Sequence, residues 1–233
     1  MEVITGREAV LAAAGDSPYA RLNTHGQVTG YLLPRTTAWV DRRPTSVTAC
    51  AVGDPARAAE ILVGTGAEWL HLPRATPADL ARLRITHKDD WEFLWTATPP
   101  PPQTGEDGVT QLTPADEPEI AALLDAAFPD TTTRPGDPRV VAWFGIRERG
   151  QLVACAADRS RGGVGFLAGL AVTPDRRGRG LGTALTAAIV RHHLTGYGVS
   201  SLGVLASNAP ALGLYRGLGF AQALSRTSVR LQP

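Results

Sequence analysis

Hydrophobic and polar residues change period several times along the chain, and each change marks an element. Apolar residues recur with helical spacing from Arg7 to Ala14, and again after Asp54-Pro55 as far as Leu62. Between them, Gln27–Leu33, Thr36–Asp41 and Ser46–Val52 are strand-like runs, with Tyr31 and Trp39 among them. Glu68–Leu72 predicts a further strand. Thr76-Pro77 predicts a helix through Arg82, because Thr caps helices and Pro suits the first helical position. Trp91, Phe93 and Trp95 alternate with Glu92, Leu94 and Thr96, which predicts a strand with one aromatic face.

Four consecutive prolines then interrupt the pattern. Prolines cannot join a helix or a sheet interior, so 99–108 is expected to be a stiff linker between domains at 1–98 and 109–233. The second part opens with a strand at Val109–Leu112. A helix capped by Thr113 or Asp116 follows, with Ile120, Leu123, Leu124 and Phe128 on one stripe. After a loop from Pro129 to Pro138, strands at Val140–Ile146 and Gln151–Ala157 meet at the Glu148-Arg149-Gly150 turn. An apolar, glycine-spaced strand runs from Gly163 to Val172, and an Ala- and Leu-rich helix from Leu181 to Val190. A strand at Ser200–Leu205, a helix at Ala209–Arg216 and a strand at Ala223–Leu231 complete the order. The alternation predicts an α+β fold built on a mixed sheet.

Composition narrows the function classes. Hydrophobic content is 43% and net charge +1, with 10 basic and 11 acidic residues over 1–98 and 13 and 11 over 99–233. That balance points to no nucleic-acid or membrane partner. The start, Met1-Glu2-Val3-Ile4, lacks a basic, apolar leader. Cys50 and Cys155 read as small buried hydrophobes, so a cytoplasmic setting is expected. No Cys/His cluster has metal-ligand spacing, and no metal is expected.

The chemistry concentrates between Val172 and Leu181. A strand, a glycine-rich turn and a helix start form a cradle for phosphate, because free backbone N–H groups and the positive helix end face the anion. Gly178, Gly180 and Gly182 let the phosphate approach the backbone, and Arg176, Arg177 and Arg179 add charge. The P-loop string is absent, and the next strand ends without the acid that a dinucleotide site requires. Arg177, Gly180 and Gly182 instead meet the pattern [R/Q]-x-x-G-x-[G/A].

That string resembles the pyrophosphate loop of the GNAT superfamily of acyl-CoA-dependent N-acyltransferases. A second string agrees: Asn208 stands seven residues before Tyr215, and Gly219-Phe220 follows. The resemblance covers about 109–233. It implies a GNAT fold and acetyl-CoA as acyl donor. It places the cofactor on Leu170, Ala171, Val172, Arg177, Gly178, Arg179, Gly180, Leu181, Gly182, Thr183, Asn208 and Tyr215. The implied product is an acetylated amine of a small molecule or peptide, formed by direct attack on the thioester.

Tyr215 is the candidate catalytic acid for the departing thiolate, since a phenol carries its proton at neutral pH. Gly169 is a candidate bulge that would splay two strands and admit the pantetheine arm. No carboxylate or histidine lies on the two central strands, so no general base emerges; Asp130, Asp137 and Asp158 are distant candidates. Arg134 could hold a substrate carboxylate. The missing base leaves an alternative open, a catalytically silent acyl-CoA-binding or regulatory protein. Residues 1–98 repeat the same order of elements without the glycines, and are expected to form a degenerate GNAT-like domain in tandem with the first.

Overall fold

The computed structural model describes residues 1–44 and 46–232. Its contacts divide into two compact units, Met1–Phe93 with Val204–Ala209 and Ala223–Pro233, and Leu94–Gly203 with Pro210–Gln222.

In the first unit, strand β1 (Glu2–Thr5) precedes helices α1 (Arg7–Ala13) and α2 (Pro18–Leu22). Strands β2 (Gln27–Leu33), β3 (Thr36–Arg43) and β4 (Ser46–Gly53) follow, then helix α3 (Pro55–Leu62) and strand β5 (Trp69–Pro73). The caps follow local chemistry. Ser17 accepts from Ala20 N at 3.2 Å ahead of Pro18, and Asp54 accepts from Arg57 N at 3.1 Å ahead of Pro55. β1 to β4 run antiparallel, whereas β5 is parallel to β4 through Thr48–Trp69, Ala49–Leu70 and Cys50–His71. Ala49, Ala51, Leu62, Leu70 and Leu72 pack into one core. Each fully buried leucine there is worth roughly 1.5–3 kcal/mol relative to exposure.

One edge of this unit comes from the far end of the chain. Strand β6 (Ile85–Thr96) and strand β12 (Gln222–Leu231) extend the sheet in the order β5-β12-β6, and β12 pairs antiparallel with β5 from Arg226–Pro73 to Arg230–Trp69. Arg226 is 1% exposed, and its Nη2 donates to Ala51 O at 2.8 Å, His71 O at 2.7 Å and Tyr19 Oη at 2.7 Å. The guanidinium lies 4.0 Å from the centre of the Tyr19 ring. It bridges β4 and β5 just where their parallel ladder ends. Tyr19 in turn meets Phe93 edge-on at 5.4 Å, on the expected aromatic face of β6.

The helix expected from Thr76 to Arg82 is replaced by turns. Thr76 and Asp79 do exchange the capping bonds, Thr76 N to Asp79 Oδ2 at 2.7 Å and Asp79 N to Thr76 Oγ1 at 3.3 Å. The bonds that follow are three-residue turns, Ala81 N to Ala78 O and Leu83 N to Leu80 O.

The second unit contains strand β7 (Val109–Leu112), helix α4 (Glu117–Ala127), strands β8 (Ala142–Glu148), β9 (Gln151–Asp158) and β10 (Gly165–Val172), and helix α5 (Leu181–Tyr197). Strand β11 (Ser200–Leu205) and helix α6 (Ala209–Gly217) follow. The strand order is β11-β10-β9-β8-β7, antiparallel except for the β10–β11 pair, which is parallel through Gly165–Ser200, Phe166–Ser201 and Leu167–Leu202. This is the mixed-sheet α+β architecture that the element order predicts. Ile120, Leu123 and Leu124 of α4 cover Cys155, Ala157 and Ala171 on one face, while Phe128, expected on the same stripe, is the C-cap and 42% exposed. α5 packs on β9 and β10. The proline stretch lies along α5, where Arg191 donates to Pro100 O and to Glu106 Oε2, both at 2.8 Å. No described helix is long and apolar enough to cross a membrane.

Candidate functional site

The site is best read at the loop between β10 and α5. Gly169 has φ +61°, and the β9–β10 register shifts between Ala168 and Ala171, so the bulge expected there is present. A side chain at 169 would place its Cβ 3.3 Å from Thr133, so the threonine would have to give way by a few tenths of an ångström, and the positive φ would be strained besides. Beyond the bulge come Leu170, Ala171 and Val172. Ala171 is buried and its neighbours are half-buried.

Gly178 and Gly180 have φ of +76° and +80°, and nothing lies within 4 Å of where a Cβ would stand at either. Their freedom is therefore needed for the backbone turn, and the space above them is open. Gly180 is the N-cap of α5. It provides no side-chain bond, and no acid lies in the first turn. The first intrahelical bond is Ala184 N to Gly180 O at 2.9 Å, so the amides of Leu181, Gly182 and Thr183 precede the ladder. α3 of the first unit differs at this point, because the Asp54 carboxylate already fills the equivalent place. Of these two helices, only α5 begins without a side-chain cap.

The arginines divide. Arg176 is held by Glu148 at 3.0 Å and Asp175 at 2.7 Å. Arg177 donates to Val172 O at 3.3 Å and to Ala127 O, at the C-terminal end of α4, at 2.9 Å. That side chain ties the loop to two carbonyls. Arg179 is exposed and makes one long bond, to Asp175 O at 3.5 Å, which leaves its charge at the mouth of the loop.

Gly182 brings α5 to α6. A Cβ there would lie 3.7 Å from Leu214 and Val172 and 3.9 Å from Leu170. Tyr215 follows Leu214 and is 6% exposed. Burial pushes its phenol up to about 12. α6 closes with Gly219 at φ +90°, Gly219 N donating to Arg216 O and Phe220 N to Tyr215 O. That Schellman closure sets Phe220 edge-on to Tyr215 at 5.8 Å. Asn208 is exposed, with its backbone N–H on Leu205 O at 2.9 Å.

Two of the three acids singled out as bases are occupied. Asp137 is gripped by Arg139, Nε to Oδ1 at 2.9 Å and Nη2 to Oδ2 at 2.8 Å, which holds its carboxyl below the usual range. Burial disfavours ionisation of Asp158, but bonds from His193 and Ser160 outweigh it and keep that carboxyl low as well. His193 is fully buried, with Nδ1 2.9 Å from Ser200 Oγ and Nε2 3.2 Å from Asp158 Oδ1, and so belongs to the core. Arg134 also proves committed, to Asp125 Oδ1 and Pro129 O, both at 2.6 Å. Asp130 is exposed. Among the described residues, no group of three or more His, Cys, Asp or Glu could hold a metal ion. One residue that the sequence reading passed over is Arg159, half-buried beside Thr133. The signal for it was a charge directly after a strand whose last seven residues are all buried.

The sequence matches the Acetyltransferase (GNAT) family over residues 91–220. It is 30% identical over 195 residues to a mycothiol acetyltransferase of Nocardioides sp., a match that covers 81% of this chain and 55% of that protein. The chain thus spans little more than half the length of this relative. A solved GNAT-family acetyltransferase from Novosphingobium aromaticivorans is similar at 27% identity and TM-score 0.59, over 88% of this chain and 92% of that one. A GCN5-related N-acetyltransferase from Kribbella flavida shares the fold at 15% identity and TM-score 0.53, over 97% and 95% of the two chains.

Proposed function

We propose that this chain, which belongs to the acetyltransferase (GNAT) family, transfers an acetyl group from acetyl-CoA to an amine. The observation that carries the reading is the uncapped N-terminus of α5 under Gly178 and Gly180, a cradle that any side chain at those positions would begin to fill. The amides of Leu181, Gly182 and Thr183, with Arg179 at the mouth, suit a pyrophosphate. The backbone of Leu170, Ala171 and Val172, past the bulge, suits an extended pantetheine arm lying as an added strand. Backbone N–H groups there also suit the carbonyl oxygen that gains charge as the amine adds. Asn208 enters through the second family string.

Tyr215 would face the sulfur. A phenol at about 12 against a thiol near 8.5 makes complete proton transfer uphill by roughly 5 kcal/mol. Tyr215 therefore acts as a hydrogen-bond donor that steadies the departing thiolate, and the amine nitrogen, an ammonium once it has added to the carbonyl, gives that proton to the thiolate as the C–S bond breaks. With Asp137 and Asp158 occupied, the acceptor enters as the free amine, so the rate should rise with pH up to the pKa of that amine.

Calorimetric titration with acetyl-CoA, paired with thiol release across an amine panel that includes mycothiol-related amines, tests the reading. Binding and release together support it. Binding without release from any amine would favour the silent acyl-CoA-binding alternative, and no binding would end both readings.

A further inference from the structure

Arg159 directly follows β9, and by strand alternation its side chain shares the face of Ala157 and Cys155, which α4 covers. Its Nη1 donates to Thr133 Oγ1 at 3.1 Å. Its Nε is buried with no hydrogen-bond partner. Arg159 is in none of the ion pairs formed by the described residues, because the nearby Asp137 is taken by Arg139 with both oxygens. That pair cancels, and one positive charge is left over. Removing a guanidinium from water is costly, and one bond to a neutral hydroxyl does not offset it. A buried donor left unused in this way needs an explanation.

Its position supplies one. Thr133 is 3% exposed, and it is the side chain whose Cβ and Cγ2 stand 3.3 Å from the place of a Cβ at Gly169. A single threonine therefore separates the guanidinium from the bulge. With Nη1 spent on Thr133 and Nε enclosed, Nη2 is the atom left to meet a carboxylate, backed by the full guanidinium charge. One surplus positive charge matches one carboxylate rather than a phosphate dianion.

We propose that Arg159 anchors the acceptor, and that the acceptor is an amino acid or short peptide with a single carboxylate near its reacting amine. This rests on the acetyltransferase reading. Thr133 fixes the guanidinium plane, Nη2 holds the carboxylate, and the amine is presented at the bulge.

The test uses the full chain with acetyl-CoA as donor, the free amino acids and their carboxamides as matched acceptors, and the variants Arg159→Gln and Arg159→Lys. Wild type should favour the acids over the amides. Arg159→Gln should lose about 100-fold in kcat/KM for the acids, chiefly through KM, and stay within about threefold for the amides. Arg159→Lys should recover part of the loss, since it restores the charge without the planar guanidinium. N-acetyl amino acids, the products, should raise the melting temperature of wild type but not of Arg159→Gln. Equal preference in Arg159→Gln and wild type would overturn the proposal. So would acetyl-CoA binding with no acid of the panel acetylated. Failure of wild type to bind acetyl-CoA in calorimetry would instead identify the acetyltransferase reading as the fault, and the proposal would fall with it.

Discussion

Phe220 stands edge-on to Tyr215 at 5.8 Å because Gly219, at φ +90°, turns the chain back over the last turn of α6. The spacing of Tyr, Gly and Phe is thus one mechanical device. Tyr215 is the third residue from the helix end, Gly219 the left-handed residue that closes it, and Phe220 the apolar partner that such closures bring down. The same device buries the phenol and raises it to about 12.

Gly219→Ala probes this device. A Cβ at 219 would meet nothing within 4 Å, so the substitution acts only through backbone strain. It should cost about 1–2 kcal/mol in denaturant unfolding and lower kcat more than acetyl-CoA affinity. Phe220→Leu keeps the closure but not the ring contact, and should lower kcat with a smaller loss of stability.

Asp54 and Gly180 suggest a second experiment. An aspartate caps α3 and nothing caps α5, so Gly180→Asp would place a carboxylate where the pyrophosphate is proposed to sit. Calorimetry should show acetyl-CoA binding weakened at least 30-fold, about 2 kcal/mol. Gly180→Asn, which also tolerates positive φ, should bind considerably better than Gly180→Asp. Equal binding by the two would mean that charge at the cap does not matter.

His71 sets a pH dependence in the first unit. Burial, reinforced by Arg226, lowers its pKa from 6.5 to about 4. Below 6.5 the unfolded chain takes up a proton that the folded chain refuses. The contribution is therefore intact above 6.5 and lost as pH falls through about 4, up to roughly 3 kcal/mol. Melting temperatures should drop across that window, and His71→Gln should flatten the drop. An unchanged slope in the variant would assign it to other groups.

The sequence made the site loop legible because its signal is local: a glycine pattern, a strand before it and a helix after it. Tyr215, Gly219 and Phe220 lie within six residues and were visible for the same reason. What escaped was non-local. Nothing around Arg226 announces that it would cross to Ala51 and His71. Arg134 and Arg159 look alike as residues, yet Arg134 is spent on its own loop while Arg159 retains an unused edge, a difference made only by partners up to 26 positions away. Thr76 did cap the segment, with Asp79 as its partner, but the bonds that follow are three-residue turns and no helix forms.

The central claim is that Tyr215 steadies the thiolate leaving an acetyl donor bound at α5. The most direct measurement is acetyl-CoA turnover by wild type and Tyr215→Phe, with thiol release and acetylated product followed together and acetyl-CoA affinity measured in parallel. The account predicts kcat lowered about 100-fold, the lower range for losing one hydrogen-bond donor to a developing charge, with affinity for acetyl-CoA within about threefold, on the order of 0.6 kcal/mol. Turnover in Tyr215→Phe equal to wild type, or release of thiol without an acetylated amine, would contradict it.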